Sequence, residues 1–330
     1  MKNKIKCPIC DSFEFIKFKD LFDDRYGESN IYKISKCKCC SHLSTFPRLE
    51  TSELSNLYGN FYPRKNISIE EIKDEARIEN SKFSKILRWL RGSNNQGQFF
   101  VKRDQYMLDV GCGSGVSLLE AQDLGAHAFG IEADPNVKII AEKLNLNIFF
   151  GDISEYPYKN ISFDLIILNQ VLEHIPEPNM LLVNLKNKLS KDGAIFISVP
   201  NTNSFWRFMT GDKWINWHVP YHLHHFNKKN LEKMSKLCGL KIIYRKTITP
   251  NIWTLMQIRT LFKNINIGEK NKLWDQSKNA KGFKKKNQNL SKTLKKSLKI
   301  ILLALILVFN RTVDSLGCGD SINIILKVED

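Results

Sequence analysis

Residues 108–115 read Leu-Asp-Val-Gly-Cys-Gly-Ser-Gly, and their reading decides the fold. A short apolar run, 106–110, ends in glycines at alternate positions, Gly111, Gly113 and Gly115. A helical pattern follows over 116–124. A strand that turns through glycines into a helix brings its backbone close to a ligand at the helix N-terminus. The next apolar run, 127–131, ends at Glu132, 21 residues after Gly111. An acid at the end of a second strand can hold two ribose hydroxyls. The pair predicts an adenosine-type cofactor.

The loop is not a dinucleotide fingerprint. That pattern needs a third glycine for close helix packing, and Val116 stands there. No Lys-Ser/Thr pair follows for a phosphate loop. Asp109, Gly111, Gly113 and Gly115 instead closely resemble motif I of the class I S-adenosylmethionine (SAM) methyltransferases, D-x-G-x-G-x-G. The resemblance continues in order through Gly151-Asp152-Ile153, the run 163–168, Asn169-Gln170-Val171-Leu172-Glu173-His174-Ile175 and the turn and strand of 191–200. It implies an α/β fold with the Rossmann-like seven-stranded class I sheet, whose last strand runs antiparallel beside the fifth and sixth. It also implies site roles. The backbone at the three glycines would meet the methionine and ribose. Asp109 would orient the loop and the amino group. Glu132 would hold the ribose hydroxyls, Asp152 with Ile153 the adenine, and Asn169 the methionine moiety.

Around this core the chain divides into further parts. Cys7/Cys10 and Cys37/Cys40 form two C-x-x-C knuckles, each able to give two thiolates to one tetrahedral Zn²⁺. Segments 13–19 and 31–36 can pair as a hairpin between them. Residues 1–46 therefore read as a zinc ribbon with a structural metal and little core of its own, with Cys39 as a spare thiol. Residues 47–105 read as a helical connector or lid, with a short helix near Leu54 and Leu57 and an amphipathic helix over 69–90. The alternating strands and helices of 106–250, completed by 320–330, are the cofactor-binding unit. Residues 251–319 are an insertion before the last strand.

The net charge of +16 is concentrated in that insertion: residues 259–299 hold thirteen Lys/Arg against Glu269 and Asp275. Such a segment seeks an anionic partner. The ten apolar residues of 300–309 are too few to span a bilayer. They suit burial against a helix or subunit, or peripheral contact of 259–309 with an anionic membrane. With no apolar core near the N-terminus and clustered cysteines, a cytoplasmic location is expected, at most peripheral to the inner membrane face.

The acceptor side is sought in residues 214–226, Trp-Ile-Asn-Trp-His-Val-Pro-Tyr-His-Leu-His-His-Phe, which hold His218, His222, His224 and His225. The segment follows the fifth strand of the sheet, where a ligand crevice opens. It resembles a P-x-H-x-x-x-F segment of bacterial methyltransferases of this type. As a group titrating near neutral pH, His222 is the candidate general base, with His225 second and His174 a further candidate. A second metal site is not expected from these histidines, since no carboxylate or cysteine completes it locally.

Ribbon and core together resemble bacterial enzymes of sugar and surface-polysaccharide biosynthesis, including sugar C-methyltransferases. Those carry a further α/β domain after the core, where this chain has only the insertion and a last strand. O-methylation of a small-molecule, glycan or lipid-linked acceptor is therefore the expected reaction. The core alone also resembles ubiquinone-biosynthesis O-methyltransferases. An RNA methyltransferase is the rival enzyme reading, but between 265 and 299 only Trp274 and Phe283 offer base stacking, so nucleic acid is not the expected partner. The non-enzymatic rival, an inactive zinc-ribbon scaffold, sits poorly with an intact glycine loop, Glu132 and Asp152.

Overall fold

A computed structural model describes residues 5–49, 51–61, 69–70, 72–73, 76, 84–93, 96–155, 158–274 and 292–329. A seven-stranded sheet forms its centre. In chain order its strands are β4 (Tyr106–Val110), β5 (His127–Glu132), β6 (Asn147–Phe150), β7 (Phe163–Asn169), β8 (Leu189–Pro200), β10 (Leu240–Ile248) and β11 (Ser321–Val328). Their spatial order is β10-β11-β8-β7-β4-β5-β6. Strands β4 to β8 pair parallel, whereas β11 lies antiparallel between β8 and β10. This is the class I sheet expected from the sequence. The order reverses between β4 and β7, which opens a crevice at their C-terminal ends.

Both faces of the central strands are covered, which is why they read as apolar runs rather than alternations. Leu108, Ile166, Ile195 and Ile324 pack in one buried cluster, and Met107, Leu118, Ile167 and Phe196 in another. Each such side chain contributes about 1.5–3 kcal/mol on burial. The crossovers include α3 (Val116–Asp123), α4 (Lys138–Lys143), α5 (Pro178–Lys186) and α7 (Lys228–Leu237). Gly115 caps α3 in the left-handed region, φ 80°, and a Cβ there would sit 2.4 Å from Leu146 Cδ1.

The N-terminal part departs from a self-contained ribbon. Strands β1 (Phe15–Phe22), β2 (Ile31–Cys37) and β3 (Leu43–Phe46) form an antiparallel sheet, and β9 (His224–His225) adds its fourth strand beside β3. Cys7, Ile9 and Cys37 join the same buried cluster as Phe226, Leu231 and Met234. The small sheet thus borrows core from α7 and from the histidine-rich segment, because its own few apolar residues cannot close one.

The connector contains α1 (Thr51–Asn60) and α2 (Ser84–Arg91). Much of the amphipathic helix expected over 69–90 lies outside the described residues. So do all the lysines of 275–291. The insertion begins with α8 (Asn251–Leu261) and closes with α9 (Lys292–Ser315). Helix α9 buries polar Asn310 and Arg311 beside apolar Ile306 and Val313. Asn310 bonds Thr254 and Asn251 at 2.9 Å each, and Arg311 donates to the Thr249 carbonyl at 2.6 Å. Its outward side exposes Ile301, Leu305 and Val308. Among the described residues, no helix is long and apolar enough to cross a membrane.

Candidate active site

The loop after β4 is held from both sides. Gly111 and Cys112 donate their amides to the Ile131 carbonyl at 2.8 and 3.2 Å. The Gly113 amide donates to Glu132 Oε2 at 2.7 Å, and the Asp134 amide to Oε1 at 2.8 Å. Gly113 has φ 55°, and a Cβ there would meet nothing within 4 Å, so its free side faces open space.

Beside this loop lies a cleft of about 380 Å³ lined by Asp109, Gly111, Ser117, Asn169 and Gln170, with Gln98 and Glu120. Asp109 is buried and accepts a hydrogen bond from the Ser117 hydroxyl through Oδ2, while Oδ1 has no partner. Burial raises its carboxyl to about 7, with the Ser117 bond opposing and the Glu132 charge assisting. An orphaned carboxylate oxygen on the wall of a cleft fits a cationic group such as the amino group of a methionine moiety. Asn169 is fixed differently from its expected role alone: Oδ1 accepts from the Gly97 amide at 2.9 Å, and Nδ2 donates to Gln98 Oε1 at 3.1 Å. Gln98 donates on to Glu120 at 2.6 Å. The 3-10 turn Gly97–Phe100 thereby joins the connector to the cleft wall. Sequence reasoning missed Gln98 and Glu120, since neither lies in a motif and Gln98 is joined to Glu120 and Asn169 only by the fold. Asp152 follows β6 and is exposed; Ile153 beside it is half-buried.

The histidine segment folds over the C-terminal end of β7. The Leu223 amide donates to the Glu173 carbonyl at 2.8 Å and fixes the approach. His174 and His222 lie edge to face, ring centres 4.7 Å apart. His222 Nδ1–H donates to the Asn216 carbonyl at 2.9 Å. His174 Nδ1–H donates to the Tyr221 carbonyl at 2.9 Å, and the Tyr58 hydroxyl lies 3.0 Å from the same nitrogen. His225 stands apart on β9, with Nε2 3.0 Å from Thr45 Oγ1 and its ring against Trp217.

The expectation that these histidines titrate near neutral pH is overturned. Burial lowers His222 well below its ordinary value, lowers His174 to about 4, and lowers His225 to about 3. Charging an imidazole here means stripping its water, which favours the neutral form of all three. Glu173 was also missed as a site residue. It is wholly buried, both carboxylate oxygens lack a hydrogen-bond partner, and burial raises it to about 8.

The four cysteines gather as one group, with sulfur atoms within 4.8 Å of one another. Cys7 and Cys40 sulfurs are 3.5 Å apart, as are those of Cys10 and Cys37. Thiolates on a tetrahedral Zn²⁺ at about 2.3 Å from the metal stand about 3.8 Å apart, so the set fits that ion. Cys39 is exposed and outside the group.

Residues 83–245 match the family described as a methyltransferase domain. The chain is 30% identical over 135 residues to a ubiquinone biosynthesis O-methyltransferase of Glaesserella parasuis serovar 5, covering 37% of this chain and 57% of that protein. It is 25% identical over 167 residues to a protein of the same name from Neisseria meningitidis serogroup C, covering 46% and 69%. The chain spans about half the length of several curated relatives it matches. Among solved structures it is similar to a SAM-dependent methyltransferase from Archaeoglobus fulgidus, with 18% identity, a TM-score of 0.42 and coverage of 79% of this chain and 94% of that one.

Proposed function

We propose that this chain, which carries a class I SAM-dependent methyltransferase domain over residues 83–245, transfers a methyl group to an oxygen of a small-molecule, glycan or lipid-linked acceptor. The observation that carries the reading is the cleft between the Gly111–Gly113 loop and Asn169, with the unpartnered oxygen of Asp109 on its wall. Bound SAM supplies an electrophilic methyl on a good leaving group, which leaves the protein mainly to position the acceptor and accept its proton. In this reading Asp109 holds the amino group, and Gly111, Gly113 and Gly115 offer backbone to the methionine and ribose. Glu132 keeps lone pairs for the ribose hydroxyls, Asp152 and Ile153 flank the adenine, and Asn169 faces the methionine moiety. His174, half-buried and next to Tyr58, is the group of the histidine cluster best placed to meet an acceptor. His222 and His225 face other protein groups. Zn²⁺ on Cys7, Cys10, Cys37 and Cys40 is a structural ion in this reading, since four thiolates leave no open position.

Calorimetry with SAM and S-adenosylhomocysteine is the test, followed by acceptor screening with phenols, sugar nucleotides and lipid-linked glycans. Micromolar binding of both ligands and methyl transfer to one acceptor class support the reading. Folded, zinc-loaded protein that binds neither ligand overturns it.

The outward face of α9 supports a second reading, contact with an anionic membrane. Ile301, Leu305 and Val308 are exposed on that face, and Phe208 and Phe262 elsewhere are 83% and 84% exposed. Lys292, Lys295, Lys296 and Lys299 precede it in the helix. Apolar burial beside lysines is the pattern that favours an anionic bilayer surface. Sedimentation with anionic but not zwitterionic vesicles supports this contact. Equal recovery in the supernatant with both overturns it.

A further inference from the structure

We propose that Glu173, His174 and His222 form a second metal centre, which takes a divalent first-row transition cation through two imidazole nitrogens and one carboxylate. The three side chains bring ligand atoms within 4.8 Å of one another. Their hydrogen bonds already select the ligating tautomers. His222 Nδ1–H is committed to the Asn216 carbonyl and His174 Nδ1–H to the Tyr221 carbonyl. Each ring therefore keeps its lone pair on Nε2, and a backbone acceptor behind the other nitrogen is the usual device that orients a metal-bound histidine.

Glu173 supplies the independent observation. It is 0% exposed, and neither carboxylate oxygen has a hydrogen-bond partner. Oε1 lies 4.0 Å from His222 Nε2. A buried carboxyl with both oxygens unpaired is costly unless something satisfies them, and a cation between it and the imidazoles does so. Two histidines with one carboxylate and open positions is a donor set suited to Fe²⁺, Mn²⁺ or Zn²⁺ rather than to Mg²⁺ or Ca²⁺, which favour all-oxygen sets. His222 Nε2 has one rival neighbour, His218 Nδ1 at 3.3 Å, a long contact that a cation would displace.

The placement suggests what the centre serves. Gln170 lines the cofactor cleft, and Val171 packs on the Gly111 loop, where a Cβ would sit 2.8 Å from Val171 Cγ2. Glu173 and His174 follow directly. His222 and Glu173 are buried, whereas His174 is half-buried, so the open side of the centre is the one towards His174. If the methyl-transfer reading holds, an acceptor oxygen can be held on that open side. The metal centre itself does not depend on it.

The test is metal stoichiometry on the full chain. The protein is loaded with Co²⁺, freed of unbound metal, and read by elemental analysis and visible absorption. The Cys7, Cys10, Cys37 and Cys40 site should show a sulfur-to-cobalt charge-transfer band. A second equivalent with weak visible bands and no sulfur band is expected from Glu173, His174 and His222. Glu173→Gln and His222→Gln should each lose the second equivalent and keep the first. Wild-type protein that stops at one equivalent overturns the proposal. So does a second equivalent retained in both folded variants. If a variant fails to fold, the wild-type count and the His174→Gln spectrum decide. SAM binding measured on the same samples separates failure of this centre from failure of the methyltransferase reading.

Discussion

The amide of Gly113 donates to Glu132 Oε2 at 2.7 Å, so the acid at the end of β5 holds the glycine loop at the end of β4. One carboxylate thus fixes the shape of a loop whose Gly111 and Cys112 line the cleft. A hydrogen bond to a charged group is worth about 1.5–3 kcal/mol. Glu132→Ala is expected to lower Tm and to weaken SAM binding by at least about tenfold, the equivalent of about 1.4 kcal/mol. Glu132→Gln should restore part of the stability but less of the affinity. Melting curves and calorimetry on both variants check this.

Asp109 gives a pH dependence with a definite sign. Its folded-state carboxyl is raised to about 7 by burial, against an ordinary value of 3.8. Between these values the folded state keeps a proton that the unfolded state has lost, so this group's contribution to stability falls as pH rises through that window. Asp109→Asn should flatten this part of the ligand-free profile, which chemical denaturation from about pH 5 to about pH 8 measures. A cationic amino group beside Asp109 favours the ionised form, so SAM affinity should rise over the upper part of the same range and fail to do so in Asp109→Asn.

Removing metal from the cysteine group should destabilise more than the N-terminal sheet. Strand β3 pairs with β9, and Cys7 and Cys37 pack in the cluster that contains Leu231 and Met234. Chelation, or Cys37→Ser, is expected to lower the main melting transition. A first sheet that melts alone, with the main transition unmoved, would contradict the shared core.

His225 is expected to be structural. Its Nε2 bonds Thr45 at 3.0 Å on the strand pair that joins the two sheets, and its ring lies 5.1 Å from that of Trp217. His225→Ala should lower Tm yet leave methyl transfer, per folded molecule, within about threefold. His174→Ala should lose far more activity at similar cost in stability. Activity assays normalised to folded protein distinguish the two.

The sequence by itself determined the elements and the loop. The apolar runs of β4, β5 and β7, the helix α3, and the glycines at 111, 113 and 115 were legible because each is written within a few neighbouring residues. Local spacing also identified the four cysteines, since each knuckle carries its own pair. The tertiary structure decided what distant segments build together. It made His224–His225 a strand of the N-terminal sheet, brought Gln98 to Asn169, and set Glu173 beside His222. On α9 it buried Asn310 and Arg311 together with Ile306 and left Leu305 outside. The physical reason is the same in each case. Periodicity records which face of one element is apolar, whereas burial, and with it the protonation of His222 and Glu173, depends on what packs across from it.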